Sequence, residues 1–224
     1  MTLPNDSIAV TPGAGAAMPT HLISGKEYPV GLEADMDGHI KGSLPAYLLT
    51  QTPRVTTAAA TDFFDIFNAA GSGYVMRIRG LWLIKNVTAA SAIIPFFEFH
   101  AFRTSAVGTA GTAHTFDSAT APAAGAVNIA RMDTTAVALP AQVTARSLPT
   151  GGATAAQYLF PMYFSNEETY TFAEGSQFYN LIPDLPYDQP LEIQEGQGFK
   201  VRQITATAST GTNYGWMLAF VLVG

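Results

Sequence analysis

The sequence predicts an all-β fold, a sandwich or barrel, preceded by an extended N-terminal arm. Three observations carry this. Apolar residues recur with period two in short runs from Arg54 onward, the pattern of half-buried strands. Turn residues punctuate the runs: Gly71-Ser72-Gly73, Gly108 and Gly111, Pro122 and Gly125, Gly151-Gly152, Gly196 and Gly198, then Gly211. The first fifty residues have no sustained period and are interrupted by Pro4, Pro12, Pro19, Pro29 and Pro45.

Residues 1–53 read as the arm. Its prolines bias the chain toward extended forms, and its short strand-like pieces, Tyr28–Leu32 and Ala46–Leu49, do not carry enough apolar surface to fold alone. Tyr28, Val30, Leu32, Tyr47, Leu48 and Leu49 are the candidate partner-binding residues, because an extended piece of this kind can add as a strand to another sheet's edge. Between the pieces, Glu33, Asp35 and Asp37 with Gly38 approximate half a calcium loop. Leu44 stands where a bidentate Glu is required, and prolines deny the flanking helices, so a solvated Asp-Gly turn is preferred.

Residues 54–224 read as the sandwich domain. Thr61–Ala70 carries both a helical spacing (Phe63, Ile66, Phe67, capped by Asp62) and a strand alternation; the strand is preferred. In Tyr74–Ile84 the even positions Tyr74, Met76, Ile78, Trp82 and Ile84 form the apolar face. In Ile93–Arg103, Ile93, Phe97, Phe99 and Ala101 lie opposite Phe96, Glu98, His100 and Phe102. Shorter strands are predicted at Thr112–Phe116, Val127–Arg131, Gln157–Phe164, Gln177–Leu181, Leu191–Gln194 and Phe199–Thr205. Tyr214–Leu222 closes the domain. Trp82, Ile84, Phe97, Phe99, Trp216, Leu218 and Phe220 are the expected core. Residues 104–156 hold four charges in 53 positions and are rich in Ala, Thr and Gly, a surface suited to lying on other subunits.

Composition narrows the function. Charged residues make up 12% of the 224, about half the usual ~25%, while 35 alanines and 25 threonines fill over a quarter of the chain. A net charge of −6 with scattered bases predicts no nucleic-acid partner. The longest apolar run, Trp216–Val223, is far short of the ~20 residues of a membrane helix, and no secretory signal is read at the N-terminus. The absence of cysteine removes disulfides, thiolate metal sites and cysteine nucleophiles. Glu98 and His100 share a strand face as a conceivable acid–base pair, but strand neighbours of this kind are usually surface pairs. Glu167, Glu168 and Glu174 are a candidate carboxylate cluster for glycan hydrolysis, but Glu167 and Glu168 should not converge, because adjacent strand residues face opposite ways. No catalytic residue, cofactor or metal ligand set is expected, and the chain is read as a non-enzyme.

Three stretches together carry a family resemblance. Asp62-Phe63-Phe64-Asp65-Ile66, Gly71-Ser72-Gly73 and Val75-Met76-Arg77-Ile78-Arg79 resemble the opening hairpin of small β-rich virion proteins of tailed bacteriophages. Pro190–Val201 is similar to the late strand–turn–strand of a jelly roll, and Trp216–Val223 to its closing strand. Val30–Ile40, with Asp-x-Asp-Gly-His, is similar to the leader of such proteins. The resemblance implies a jelly-roll β-sandwich with an extended N-terminal arm, acting as a capsid decoration protein in the virion after assembly in the host cytoplasm. Its implied partners are the major capsid protein or another virion protein, and further copies of itself in a symmetric oligomer; with the small side chains of residues 104–156 in or near the subunit contacts, a trimer is expected. The alternative is a carbohydrate- or receptor-binding module of a phage tail or fibre, in which Tyr163, Tyr170, Tyr179 and Tyr187 stack on sugars.

Overall fold

The computed structural model describes residues 5–8, 18–23, 26–29, 45–87, 94–132, 138–149, 155–166, 177–180, 191–209 and 211–224, and all regular secondary structure among them is β. The chain divides into two units, Met1–Leu44 and Pro45–Gly224. In the first, β1 (Asn5–Ile8), β2 (Met18–Ile23) and β3 (Lys26–Pro29) pair antiparallel in chain order. The piece expected at Tyr28–Leu32 is therefore Lys26–Pro29. Val30, Leu32, Glu33, Asp35 and Asp37 lie outside the described residues.

The second unit is a two-sheet sandwich. Its strands are β4 (Ala46–Arg54), β5 (Asp62–Asn68), β6 (Val75–Val87), β7 (Ile94–Thr104), β8 (Thr112–Ala113), β9 (Thr115–Phe116) and β10 (Val127–Arg131). They continue with β11 (Val143–Ser147), β12 (Ala155–Asn166), β13 (Gln177–Asn180), β14 (Leu191–Ile193), β15 (Gln197–Gln203) and β16 (Thr212–Val223). One sheet runs β13-β6-β16-β4-β10-β9, with β14 sharing β13's place beside β6; the other runs β12-β7-β15-β5-β11-β8. Every pairing is antiparallel except β9 with β10.

Alternation puts one face of each strand into a shared interior. Phe97, Phe99 and Phe199 of one sheet meet Tyr214, Trp216 and Leu218 of the other, all fully buried. The rings pack edge-on or tilted: Phe99 lies 5.3 Å from Trp216 and Phe97 lies 5.1 Å from Tyr214, centroid to centroid. Thr61–Ala70 resolves as strand β5, because its two faces are both needed in a sheet interior.

Three irregularities change which residues reach that interior. In β6, Ala219 pairs Gly80 while Phe220 pairs Ile78, so Arg79 is an extra residue. Before this bulge Met76 and Ile78 point inward; after it the phase flips to Leu81 and Leu83. Trp82 and Ile84, expected in the core, are therefore half-buried on the outer face, with Trp82 lying over the bare Cα of Gly80. In β5, Val201 pairs Phe64 but Arg202 pairs Asp62, so Phe63 is extra. Phe63 and Phe64 both enter the core, which leaves Asp62 and Asp65 together on the outer face. In β12, shifts at Tyr158/Phe160 and elsewhere bring Tyr158, Pro161 and Tyr163 to the outer face.

Two expectations are corrected here. Gly71-Ser72-Gly73 joins no hairpin: it carries the chain from β5 in one sheet to β6 in the other. The arm does not extend to residue 53, because β4 is an internal strand between β16 and β10. The Ala/Thr-rich segment forms β8 to β11, which extend the two sheets past β4 and β5. The run Thr112–Phe116 splits at His114, whose Nδ1 accepts the Ala145 amide at 3.0 Å, and sends β8 and β9 to different sheets. Strand β11 was not foreseen.

Candidate functional site

The outer face of the β12-to-β8 sheet gathers more chemistry than any other described surface. β7 alternates Phe97, Phe99 and Ala101 inward with Glu98, His100 and Phe102 outward, as its sequence pattern requires. Antiparallel register then builds rows across the sheet. One row runs Arg146, Asp65, Lys200, Phe102, Tyr158; the next runs Asp62, Arg202, His100, Pro161; the last pairs Glu98 with Tyr163. Pro161, lacking an amide hydrogen, is tolerated because β12 is an edge strand.

At the β12 end the rows form an aromatic platform. His100 packs edge-on against Tyr158 at 5.1 Å and tilted on Phe102 at 5.9 Å, and Phe102 meets Tyr158 at 5.9 Å. Glu98 holds the imidazole through Oε1 and Nε2, 2.5 Å apart, and also takes a hydrogen bond from the Tyr163 phenol. Burial and then the neighbouring Glu98 charge push the Tyr163 phenol above its ordinary pKa, so it stays protonated as a donor. The two tyrosines remain 49% and 61% exposed, unlike the half-buried groups that orient them. A fixed, wet-edged pair of aromatic rings is suited to contact with another molecule. The Glu98 acceptor positions are engaged by His100 and Tyr163 in a flat surface, an arrangement that positions rings.

At the other end the same face is ionic and closed. Lys200 Nζ lies 3.0 Å from Asp62 Oδ2, and Arg202 Nε lies 3.8 Å from Asp62 Oδ1. Asp65 Oδ2 accepts the Gly108 amide at 2.6 Å. Burial holds the Asp65 carboxyl above the usual aspartate range despite that bond. The Phe102 ring covers Lys200 at 5.8 Å.

The residues expected to bind a partner are not brought together. Tyr47 and Leu49 are fully buried core residues of β4, stacked and packed against β16; Tyr47 lies 5.3 Å from Phe220. They are corrected from arm contacts to core because β4 alternates inside a sheet. Leu48 is half-buried on the outer face of that sheet. Tyr28 belongs to β3. Of the proposed sugar-stacking tyrosines, Tyr163 is exposed on the platform, Tyr179 lies in β13, and Tyr170 and Tyr187 fall outside the described residues, as do Glu167, Glu168 and Glu174. Tyr158, Asp62, Asp65 and Lys200 were missed as a group. The only legible signal was the two-residue spacing of Lys200 and Arg202; the bulges that complete the group leave no mark in a period-two reading.

Among the described residues no group of three His, Cys, Asp or Glu is placed to hold a metal ion, and no helix is long and apolar enough to cross a membrane. Comparison with protein-family models, with curated proteins and with solved structures found no match.

Proposed function

We propose that this chain is a non-enzymatic structural subunit of a tailed-bacteriophage particle, built on a jelly roll and decorating the capsid as a homo-oligomer. The observation that carries the reading is strand order. Leaving aside β8 to β11, the eight strand positions alternate between sheets as β4-β16-β6-β13/β14 and β5-β15-β7-β12. First pairs with last, and third sits between last and sixth, the order that two nested Greek keys produce. Jelly rolls serve viral capsids, lectins and cupins alike, so fold alone does not choose among them. Two further features favour the first. Of the motifs similar to phage virion proteins, the late strand–turn–strand falls on β14, its turn and β15, and the closing-strand motif falls on β16. The outer face of the β4-β16-β6 sheet carries half-buried Leu48, Trp82, Ile84, Met217, Ala219 and Val221 beside Thr50 and the Arg77–Glu192 ion pair, a mixed surface suited to contact in an assembly.

The test is copy number and mass. Densitometry of purified particles should find the chain in hundreds of copies, and light scattering should report a trimer of the 23.7 kDa chain. A few copies per particle would point to a tail component, and a monomer both free and on the particle overturns the oligomer. The platform favours a second reading, glycan or receptor binding by Tyr158 and Tyr163. Replacing both with Ala should then abolish adsorption to host cells while leaving particle mass and chain stoichiometry unchanged.

A further inference from the structure

We propose that Lys200 and Asp62 become joined by an intramolecular isopeptide bond, formed after folding with loss of one water, which locks β5 to β15. The proposal does not depend on the particle-subunit reading. Lys200 Nζ already sits 3.0 Å from Asp62 Oδ2, and the side chains are only 2% and 11% exposed. They project from adjacent, hydrogen-bonded strands at the middle of one sheet, so the approach is held by backbone pairing and not by two free side chains. A second carboxyl completes the group. Asp65 stands opposite Lys200 in register and is itself buried, with Oδ2 bound to the Gly108 amide and Oδ1 without a hydrogen bond. The Phe63 bulge is what puts both aspartates on one face, and Phe102 flanks Lys200 from the other side.

The chemistry closes without a co-reactant. A proton passes from the Lys200 ammonium to the Asp62 carboxylate, and the freed Nζ lone pair attacks Cγ. Negative charge gathers on Oδ1, the oxygen that makes no hydrogen bond and faces Arg202 Nε at 3.8 Å. The tetrahedral intermediate collapses as the Cγ–Oδ2 bond breaks. Of the three ammonium protons, one stays on the amide nitrogen and two leave with Oδ2 as water. Asp65, buried opposite Lys200 in register with Oδ1 making no hydrogen bond and its carboxyl shifted toward the protonated form by burial, is the group assigned to relay a proton from nitrogen to the departing oxygen.

Intact-mass spectrometry of the purified, denatured full chain tests this directly. The wild type should be lighter than its sequence by one water. Trypsin should release a branched peptide joining residues 55–77 to residues 147–202, uncut after Lys200. Lys200→Arg, which keeps the ion pair, and Asp62→Ala should both restore the full mass and remove the branched peptide. Asp65→Asn, which can still accept the Gly108 amide, should slow or stop the reaction. A wild-type chain whose digest yields separate 55–77 and 147–200 peptides overturns the bond and leaves a structural ion pair. A water loss mapped to Asp37-Gly38 as a succinimide overturns it equally. Full cross-linking in Asp65→Asn overturns the relay assigned to Asp65.

Discussion

Trp216 and Glu195 show how single side chains hold the two sheets to each other. Trp216 is fully buried, edge-on to Phe99 at 5.3 Å and to Phe164 at 6.4 Å. Removing it opens a cavity in the sandwich interior beside Phe99 and Phe164. Trp216→Ala is expected to cost about 3–5 kcal/mol, read from the shift in denaturant midpoint. Glu195, in the turn between β14 and β15, accepts the amides of Gly73 at 2.5 Å and Gly71 at 3.1 Å, in the turn between β5 and β6. Both glycines have positive φ, which turns their amides toward one acceptor. This latch joins the two sheet-crossing turns that stand far apart in sequence. The Gly71 and Gly73 amides hold the carboxyl below its ordinary value of 4.5. A depressed acid contributes stability above its unfolded pKa and loses it as pH falls through the folded value. Glu195→Gln should therefore lower Tm at pH 7, with the difference from wild type shrinking below the ordinary glutamate range. A Tm difference independent of pH would remove the charge from this account.

At the scale of elements, the bulges decide what each strand presents. Gly80 follows the extra residue of β6, and a Cβ there would lie 2.2 Å from the Trp82 ring. Gly80→Ala should lift that ring from the sheet, shifting the exposed part of the tryptophan fluorescence to longer wavelength at a cost of about 1–3 kcal/mol. An unchanged spectrum would mean that Trp82 does not rest on Gly80. The Phe63 bulge acts in the opposite sense: it sends two consecutive aromatics inward and two aspartates outward. Strand β4 is equally decisive. It carries Tyr47 and Leu49 into the core and pairs with β16 along Ala46–Arg54. A chain beginning at Arg54 lacks this strand and leaves β16 and β10 without their common neighbour, so it should fail to give a cooperative unfolding transition. A chain beginning at Pro45 should fold, as seen by far-ultraviolet circular dichroism and a single thermal transition.

At the scale of the whole molecule, that pair of chains also separates folding from attachment. If the chain is the particle subunit proposed above, the Pro45 chain, lacking residues 1–44, should keep the mass of the full-length oligomer and fail to bind particles stripped of the protein. Binding equal to the full chain would assign attachment to the sandwich, with the outer β4-β16-β6 face and the tyrosine platform as the surfaces to mutate next. The insertion between β7 and β12 has a structural part in this unit. Its strands β10 and β11 cover the edges of β4 and β5, which would otherwise present open hydrogen-bonding groups.

The sequence by itself determined the β class, nearly every strand of the sandwich, and the inward faces of β7 and β16, because period-two alternation is a local property of a strand buried on one side. It also marked turns at Gly71, Gly73 and Gly196, since positive-φ positions call for glycine, but not that the first of these turns crosses between sheets. Tertiary structure decided the rest. Arg79 and Phe63 become extra residues only when a partner strand fixes the register, so Trp82 and Ile84 moved outward and Asp62 and Asp65 met Lys200. Tyr47 and Leu49 read as arm residues because a nine-residue strand beside Pro45 carries no sign of the neighbours that bury it. Glu98, His100, Tyr158 and Tyr163 form one platform because antiparallel pairing places residues about sixty apart in adjacent rows, a juxtaposition that no local pattern encodes.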